Sequence, residues 1–353
     1  MKLLVLPCDG IGPEIVDAAV TVLRAADEAR GLGLEFDYDD VGFASLEKYG
    51  TTLRPDMLDK VRQYDGVILG PHDNVNYPPP EEGGLNVSGL FRKQLDLYAN
   101  ARPARARPGL ARGRDGMDLV IMRELTEGFY PDRNMAAGSG EFMPEPGIAL
   151  SLRKVTVRGC ERIARQAFDL ARKRRKKVTA VHKANVMKLT DGLFLETVRE
   201  VAAGYPDVEL DDVLVDAMTA YLVRDPSRFD VVLTTNMYGD ILSDLASELA
   251  GSIGLAGSTM ASDTLCVAQC QHGSAPDIAG QDKANPGSMI ISCAMLLQWL
   301  GEKHGREDLL QAGRDIEAAL DAALAKAETR TADLGGPLGT AAFARNVAAL
   351  IGG

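Results

Sequence analysis

Apolar and polar positions follow two periods along this chain. Strand-length apolar runs bounded by turn residues fall at 2–7, 34–41, 66–70, 118–122, 178–182, 212–215 and 229–234. Between and after them, apolar residues at i, i+3 and i+4 predict helices over 13–30, 55–63, 157–174, 193–203, 240–250, 287–300 and 306–327. Strands alternating with helices predict an α/β protein with a large, mostly parallel or mixed sheet. At 353 residues the chain is long enough for two domains, and no repeat or low-complexity linker divides it. Two stretches follow neither period: 71–89, rich in Pro, Gly and Asn, and 126–150. Irregular segments of that length in compact domains more often serve function than mere connection.

Composition narrows the class. A formal charge of −11 argues against general nucleic-acid binding, so cations for an anionic substrate must be concentrated locally. No apolar run approaches bilayer length, and Met1-Lys-Leu-Leu-Val-Leu-Pro7 is too short for a signal peptide, which predicts a cytoplasmic protein without membrane contact. The five cysteines are scattered and odd in number, as reduced thiols are. Cys266 and Cys270 could share a helix face, but no further thiol or histidine completes a zinc site. The one basic run, 172–177, reads as a solvated helix end.

Candidate chemistry begins at Asp240 and Asp244, which lie four apart and so share one helix face. Two converging carboxylates sit either in open water or around a cation. Gly239 and the buried strand 229–234 before them favour a ligand, and oxygen donors alone suit Mg²⁺ or Mn²⁺ better than zinc. Three arginines accompany them: Arg92 in a helix, Arg102 just past its end, and Arg123 after a strand. Each alone reads as a surface arginine. Converging, they would grip a multiply charged acid through bidentate forks. Lys183 and Asn185 end the strand 178–182, where a lysine either snorkels to water or serves as a base. Asp216 interrupts an apolar segment, a setting in which an acid is paired or bound to metal. The loop His272-Gly273-Ser274-Ala275-Pro276-Asp277-Ile278, with Asn285, offers small residues, a hydroxyl and an acid. An aspartate beside a nucleotide would accept from a ribose hydroxyl and repel a 2′-phosphate, favouring NAD over NADP. The turn Cys8-Asp-Gly-Ile11-Gly-Pro-Glu14 lacks the third glycine of a dinucleotide fingerprint, so an ordinary Rossmann fold is not supported.

These segments together resemble the β-decarboxylating dehydrogenases, the isocitrate/isopropylmalate dehydrogenase family, from Asp9-Gly-Ile-Gly-Pro-Glu14 to Asp333-Leu-Gly-Gly336, with 236–255 matching the family signature. The resemblance implies a two-domain mixed-sheet fold, with 1–98 and 251–353 in a large domain and 99–250 in a smaller one, and a cleft between them. It also implies a homodimer or larger with shared active sites, the stretch 126–150 forming an intersubunit arm. Asp240, Asp244 and Asp216 of the partner subunit would hold Mg²⁺ or Mn²⁺. Lys183 of the partner subunit would help remove the substrate's hydroxyl proton, Tyr130 would return a proton to C3, and Arg92, Arg102 and Arg123 would hold the malate carboxylates. NAD would lie along Ile11, His272 to Ile278 and Asn285.

The C3 substituent of the malate is less plainly written. Asn86 and Ser88 stand six and four residues before Arg92, at the offsets of the carboxylate contacts of isocitrate enzymes but in swapped order. A polar substituent is thereby favoured over isopropylmalate, tartrate or D-malate. A non-catalytic regulatory subunit on the same fold would have lost part of the acid, base or metal set, which this chain retains.

Overall fold

Each stretch predicted as a strand or helix overlaps an element of that kind in the computed structural model, which describes residues 1–107, 109–110 and 113–352. In chain order the strands are β1 (Lys2–Leu6), β2 (Glu35–Tyr38), β3 (Gly66–Leu69), β4 (Ala99–Arg105), β5 (Asp118–Glu124), β6 (Glu141–Glu145), β7 (Ile148–Ser151), β8 (Lys177–His182), β9 (Glu209–Leu214), β10 (Val231–Thr234), β11 (Thr259–Ala261) and β12 (Cys266–Gln269). The helices are α1 (Gly12–Arg30), α2 (Phe43–Tyr49), α3 (Met57–Val61), α4 (Val87–Gln94), α5 (Val157–Arg172), α6 (Thr190–Ala202), α7 (Val215–Arg224), α8 (Asn236–Ala250), α9 (Gly287–His304), α10 (Glu307–Ala325) and α11 (Thr340–Ala349).

The chain forms two units. The first comprises Met1–Leu95, Arg107–Arg112 and Gly251–Gly353. Its strands run in the order β2-β1-β3-β12-β11, parallel except where β11 turns back along β12. Leu3, Val5 and Ile68 on the strands share a buried core with Ile15 of α1, Leu296 and Leu300 of α9, Leu320 of α10 and Phe343 of α11. Strands covered in this way need no polar alternation, which is why they read as continuous apolar runs.

The second unit comprises Asp96–Ala106 and Gly113–Ala250. Its strands run β4-β5-β10-β8-β9; β5, β10, β8 and β9 are parallel, and β4 is antiparallel to β5. Alternation splits the sheet between two cores. Val120, Met122, Val231 and Leu233 pack with residues of α5 and α6, while Leu119, Ile121 and Val232 pack with those of α7 and α8. The β6–β7 hairpin forms a two-stranded sheet of its own, with Phe142, Met143, Ile148 and Leu150 exposed.

Some sequence readings are corrected. Helix α8 begins at Asn236, so Asp240 sits in its second turn and not at its head. Val215 opens α7 directly after β9, so Asp216 lies in a helical first turn and its side chain is 65% exposed. Arg102 is a β4 strand residue. Cys266 lies in β12 and Cys270 just beyond it, so they share no helix face. The basic run does close α5 on the surface, as read, and there it is ion-paired: Arg172 with Asp207, Arg174 with Asp118 and Asp230, and Lys177 with Glu209 and Asp211.

Candidate active site

In the second unit, candidate groups gather around the polar face of α8. Asn236, Asp240, Ser243 and Asp244 follow helical spacing on one side, while Leu242, Ala246 and Ala250 are buried. Gly239 brings the helix close to Arg123: a Cβ there would lie 2.6 Å from Arg123 Cγ. The Arg123 side chain, 1% exposed, is held from several directions. Its Nε and Nη2 donate to Asn236 Oδ1 at 3.0 and 2.8 Å, Nη1 pairs with Asp240, and Nη2 reaches Tyr130 Oη at 3.1 Å. Tyr130 donates to Asp240 Oδ2 at 2.6 Å. Arg102 Nη1 donates to Asp240 Oδ1 at 3.0 Å and to Ser243 Oγ at 2.7 Å, and lies 3.8 Å from Asp244. Burial, followed by the neighbouring Arg123 cation, brings the Arg102 guanidinium down to about 10, still charged at neutral pH. Two buried guanidinium groups thus converge on one carboxylate.

Lys183 lies just past β8, and its Nζ donates to Asp216 Oδ1 at 2.6 Å. That bond holds the Asp216 carboxyl below its ordinary range. Asn185 is exposed in the turn that follows. Asp240 and Asp244 present oxygens from successive turns, with side chains 38% and 58% exposed, the donor type that Mg²⁺ or Mn²⁺ takes. Among the described residues of a single chain, no three His, Cys, Asp or Glu side chains are grouped to hold a metal ion. Asp240 and Asp244 can supply part of the ligand set of such an ion.

The first unit gathers its candidate groups on main chain. Gly10, at φ +58°, lies under the loop 272–278, and a Cβ there would fall 2.0 Å from Ser274 O. The next amide, of buried Ile11, donates to that same oxygen at 2.8 Å. Ala275 takes the left-handed conformation at φ 38° before the 3₁₀ turn Pro276–Ile278, which carries exposed Asp277; Gly273 has open space above it. His272 Nδ1 lies 3.0 Å from Gly273 O, and burial lowers its imidazole pKa. Asn285 donates to Asp333 Oδ2 at 3.0 Å and accepts from the Gly287 amide at 2.9 Å.

Arg92 lies in the last turn of α4, and its Nε donates to the Met260 sulfur at 3.1 Å. Asn86 and Ser88, read as contacts of a carboxylate on C3, each make a bond within the first unit. Asn86 Oδ1 caps α4 by accepting from the Gly89 amide at 2.8 Å. Ser88 is buried and donates to Gln269 Oε1 at 3.1 Å, so its hydroxyl faces the interior.

Sequence reasoning missed Asn236 and Ser243, which hold the arginines, and the buried pair Arg153 and Asp191 behind Lys183. Asn236 and Ser243 follow the spacing of Asp240 and could have been found from it. Arg153 and Asp191 lie 38 positions apart, and no spacing rule joins them.

Comparison with known proteins bears on all of this. The family model described as "Isocitrate/isopropylmalate dehydrogenase" matches residues 2–347. The 3-isopropylmalate dehydrogenase of Archaeoglobus fulgidus is 40% identical over 99% of this chain and 99% of its own. The isocitrate/homoisocitrate dehydrogenase of Thermus thermophilus is 41% identical over 98% of this chain and 97% of its own. The crystal structure of isocitrate dehydrogenase from Methylococcus capsulatus superposes with a TM-score of 0.88 at 41% identity, covering 100% of this chain and 99% of that one.

Proposed function

Because the chain belongs to the isocitrate/isopropylmalate dehydrogenase family and is a decarboxylating dehydrogenase of that type, we propose that it oxidises and decarboxylates a 3-substituted (2R)-malate with NAD⁺ and Mg²⁺ or Mn²⁺. The observation that carries this reading is the bonded group of Arg102, Arg123, Tyr130 and Asp240 beside Asp244. Asp240 and Asp244, with Asp216 of the partner subunit, would hold the divalent ion. When bound, the ion polarises the substrate's C2 oxygen and stabilises the charge developing there. Arg102 and Arg123 hold the malate carboxylates in fixed forks, and Arg92 serves the same class of ligand. Lys183 of the partner subunit would help remove the C2 hydroxyl proton, and NAD⁺, held by the loops around Ile11, His272 to Ile278 and Asn285, would supply the hydride acceptor. The bond from C3 to the β-carboxylate then breaks, CO₂ leaves, and the electron pair remains as an enolate. Tyr130, 2.6 Å from Asp240, gives its proton to C3.

Asn185 and Asn86 keep amide groups that can meet a polar part of the substrate. Ser88 does not, since it is buried against Gln269. That observation favours a second reading in which the C3 substituent is apolar, as in 3-isopropylmalate. Turnover of isocitrate, homoisocitrate, 3-isopropylmalate, tartrate and D-malate, followed as NADH formation, separates the two. Lys183→Met tests the reaction itself: turnover should fall by about 1,000-fold with NAD binding kept. A variant that keeps its kcat overturns the role of the lysine, and a wild-type chain that turns over none of the five acids favours a regulatory subunit.

The proposed working unit is a homodimer or larger. Its support is the apolar side chains left in water on the second unit, Phe142, Met143, Ile148 and Leu150 on a hairpin too small to be stable alone, with Leu189 87% exposed. Sedimentation of Met143→Asp/Leu150→Asp against wild type tests it. A monomer with lost turnover is expected, and an unchanged assembly state would rule the hairpin out as the interface.

A further inference from the structure

Lys183 stands beyond the last residue of β8, where strand pairing no longer fixes the main chain. Two side chains fix it instead. The Lys183 amide donates to Asp191 Oδ2 at 2.6 Å, and the following amide, of Ala184, donates to His182 Nδ1 at 3.0 Å. Because Nδ1 accepts, the neutral ring carries its proton on Nε2, which faces Asp212 Oδ2 at 3.1 Å. The peptide groups on both sides of the lysine are therefore tied down.

Asp191 is fully buried, where a carboxylate persists only when paired. Its partner is Arg153, 2.5 Å away, with a side chain 4% exposed. The Arg153 guanidinium is flanked by the rings of Phe129 and Tyr238, at 5.3 and 5.0 Å, and donates to Thr235 Oγ1 at 3.0 Å. Its contacts thus reach the residue before Tyr130, the residue before α8, and the α6 carboxylate beneath Lys183. A buried ion pair is weak support for stability, since apolar residues of equal volume do as well. It does fix geometry.

We propose that Asp191, held by Arg153, is the positioning residue of Lys183: it sets the lysine's main chain so that Nζ meets Asp216 and, in turnover, the substrate hydroxyl. The inference rests on the reading of Lys183 as the base. Asp191 touches no reacting atom, so its removal should act on kcat through the lysine and leave binding alone.

The test measures kcat, KM for the malate that wild type turns over fastest, NAD affinity and Tm in Asp191→Ala, Arg153→Lys, Lys183→Met and the double variant Lys183→Met/Asp191→Ala. Asp191→Ala should lower kcat by about 10- to 100-fold while KM and NAD affinity hold. Arg153→Lys, which keeps the cation, should retain most of the wild-type kcat. The double variant should be no slower than Lys183→Met alone, because the second change acts through the first. A wild-type kcat in Asp191→Ala overturns the proposal, as does a parallel fall of kcat, NAD affinity and Tm, which marks plain scaffolding. If Asp191→Ala does not fold, Asp191→Asn decides: a lower kcat at unchanged KM and Tm supports the proposal, and an unchanged kcat overturns it. Full turnover in Lys183→Met would defeat the underlying reading, whereas a dead Lys183→Met beside a fully active Asp191→Ala defeats only this inference.

Discussion

The second unit collects its candidate chemistry on charged side chains, Arg102, Arg123, Lys183, Asp216, Asp240 and Asp244, each engaged with another of the set. In the first unit the nucleotide candidates are mostly main chain and small residues: the Ile11 amide, the Ser274 carbonyl, Gly10 beneath it and Ala275 in a left-handed turn. Side chains that make and move charge must be held by counter-charges until substrate arrives. Main chain that receives a large, fixed ligand needs only shape. Substitutions in the second unit should therefore strike the chemical step, and those in the first should strike the choice of cofactor.

The comparison can be broken in four places. The largest effect is expected from Lys183→Met, about 1,000-fold in kcat without loss of NAD binding; a change confined to NAD affinity would erase the division of labour. Asp240→Asn should follow, lowering kcat/KM by more than about 100-fold and weakening Mn²⁺ binding in a calorimetric titration, again with NAD binding intact. Asp277→Arg in the first unit should do the reverse. It should shift preference from NAD toward NADP by about tenfold, about 1.4 kcal/mol, at constant kcat with saturating cofactor. A kcat loss there would mean that the loop takes part in chemistry.

The smallest effects concern pH, and their signs differ between the units. In the second, burial lifts the Glu124 carboxyl to about 7 from an ordinary 4.5, so the stability of its protonated form is complete below about 4.5 and lost as pH rises through about 7. In the first, burial, with Arg92 adding to it, lowers the His72 imidazole to about 4 from an ordinary 6.5. Its neutral form contributes stability above about 6.5 that is lost as pH falls toward about 4. Urea midpoints between about pH 4 and 7 should show Glu124→Gln removing a loss of stability with rising pH and His72→Gln removing a gain, each by about 1 kcal/mol. Identical slopes in the two variants would sink the distinction.

What was legible in the sequence follows the same divide. Buried parallel strands such as Val231-Val-Leu-Thr234 announce themselves as apolar runs, and the shared face of Asp240 and Asp244 follows from spacing alone. Strand β4 did not, because Ala99-Asn-Ala-Arg-Pro-Ala-Arg105 carries small and charged residues and takes its order from pairing with β5. Helix α7 was hidden because the apolar run of β9 continues without a break into Val215. Asn86 and Ser88 were read from offsets to Arg92, and offsets do not report that one caps a helix while the other bonds inward to Gln269. The Arg153–Asp191 pair is a tertiary contact with no local signature.

Asp240 has a consequence of its own, because one carboxylate serves as counter-ion to Arg102 and Arg123 and as acceptor for Tyr130. On the proposed reading, a substrate carboxylate that took over the guanidinium forks would free those oxygens for a cation. The two ligands then compete for nothing and relieve each other's cost. Linkage makes that relief reciprocal: the factor by which a malate tightens the hold on a divalent ion equals the factor by which the ion tightens the hold on the malate. On that reading the free acid and the free metal would each bind poorly and the pair would bind well.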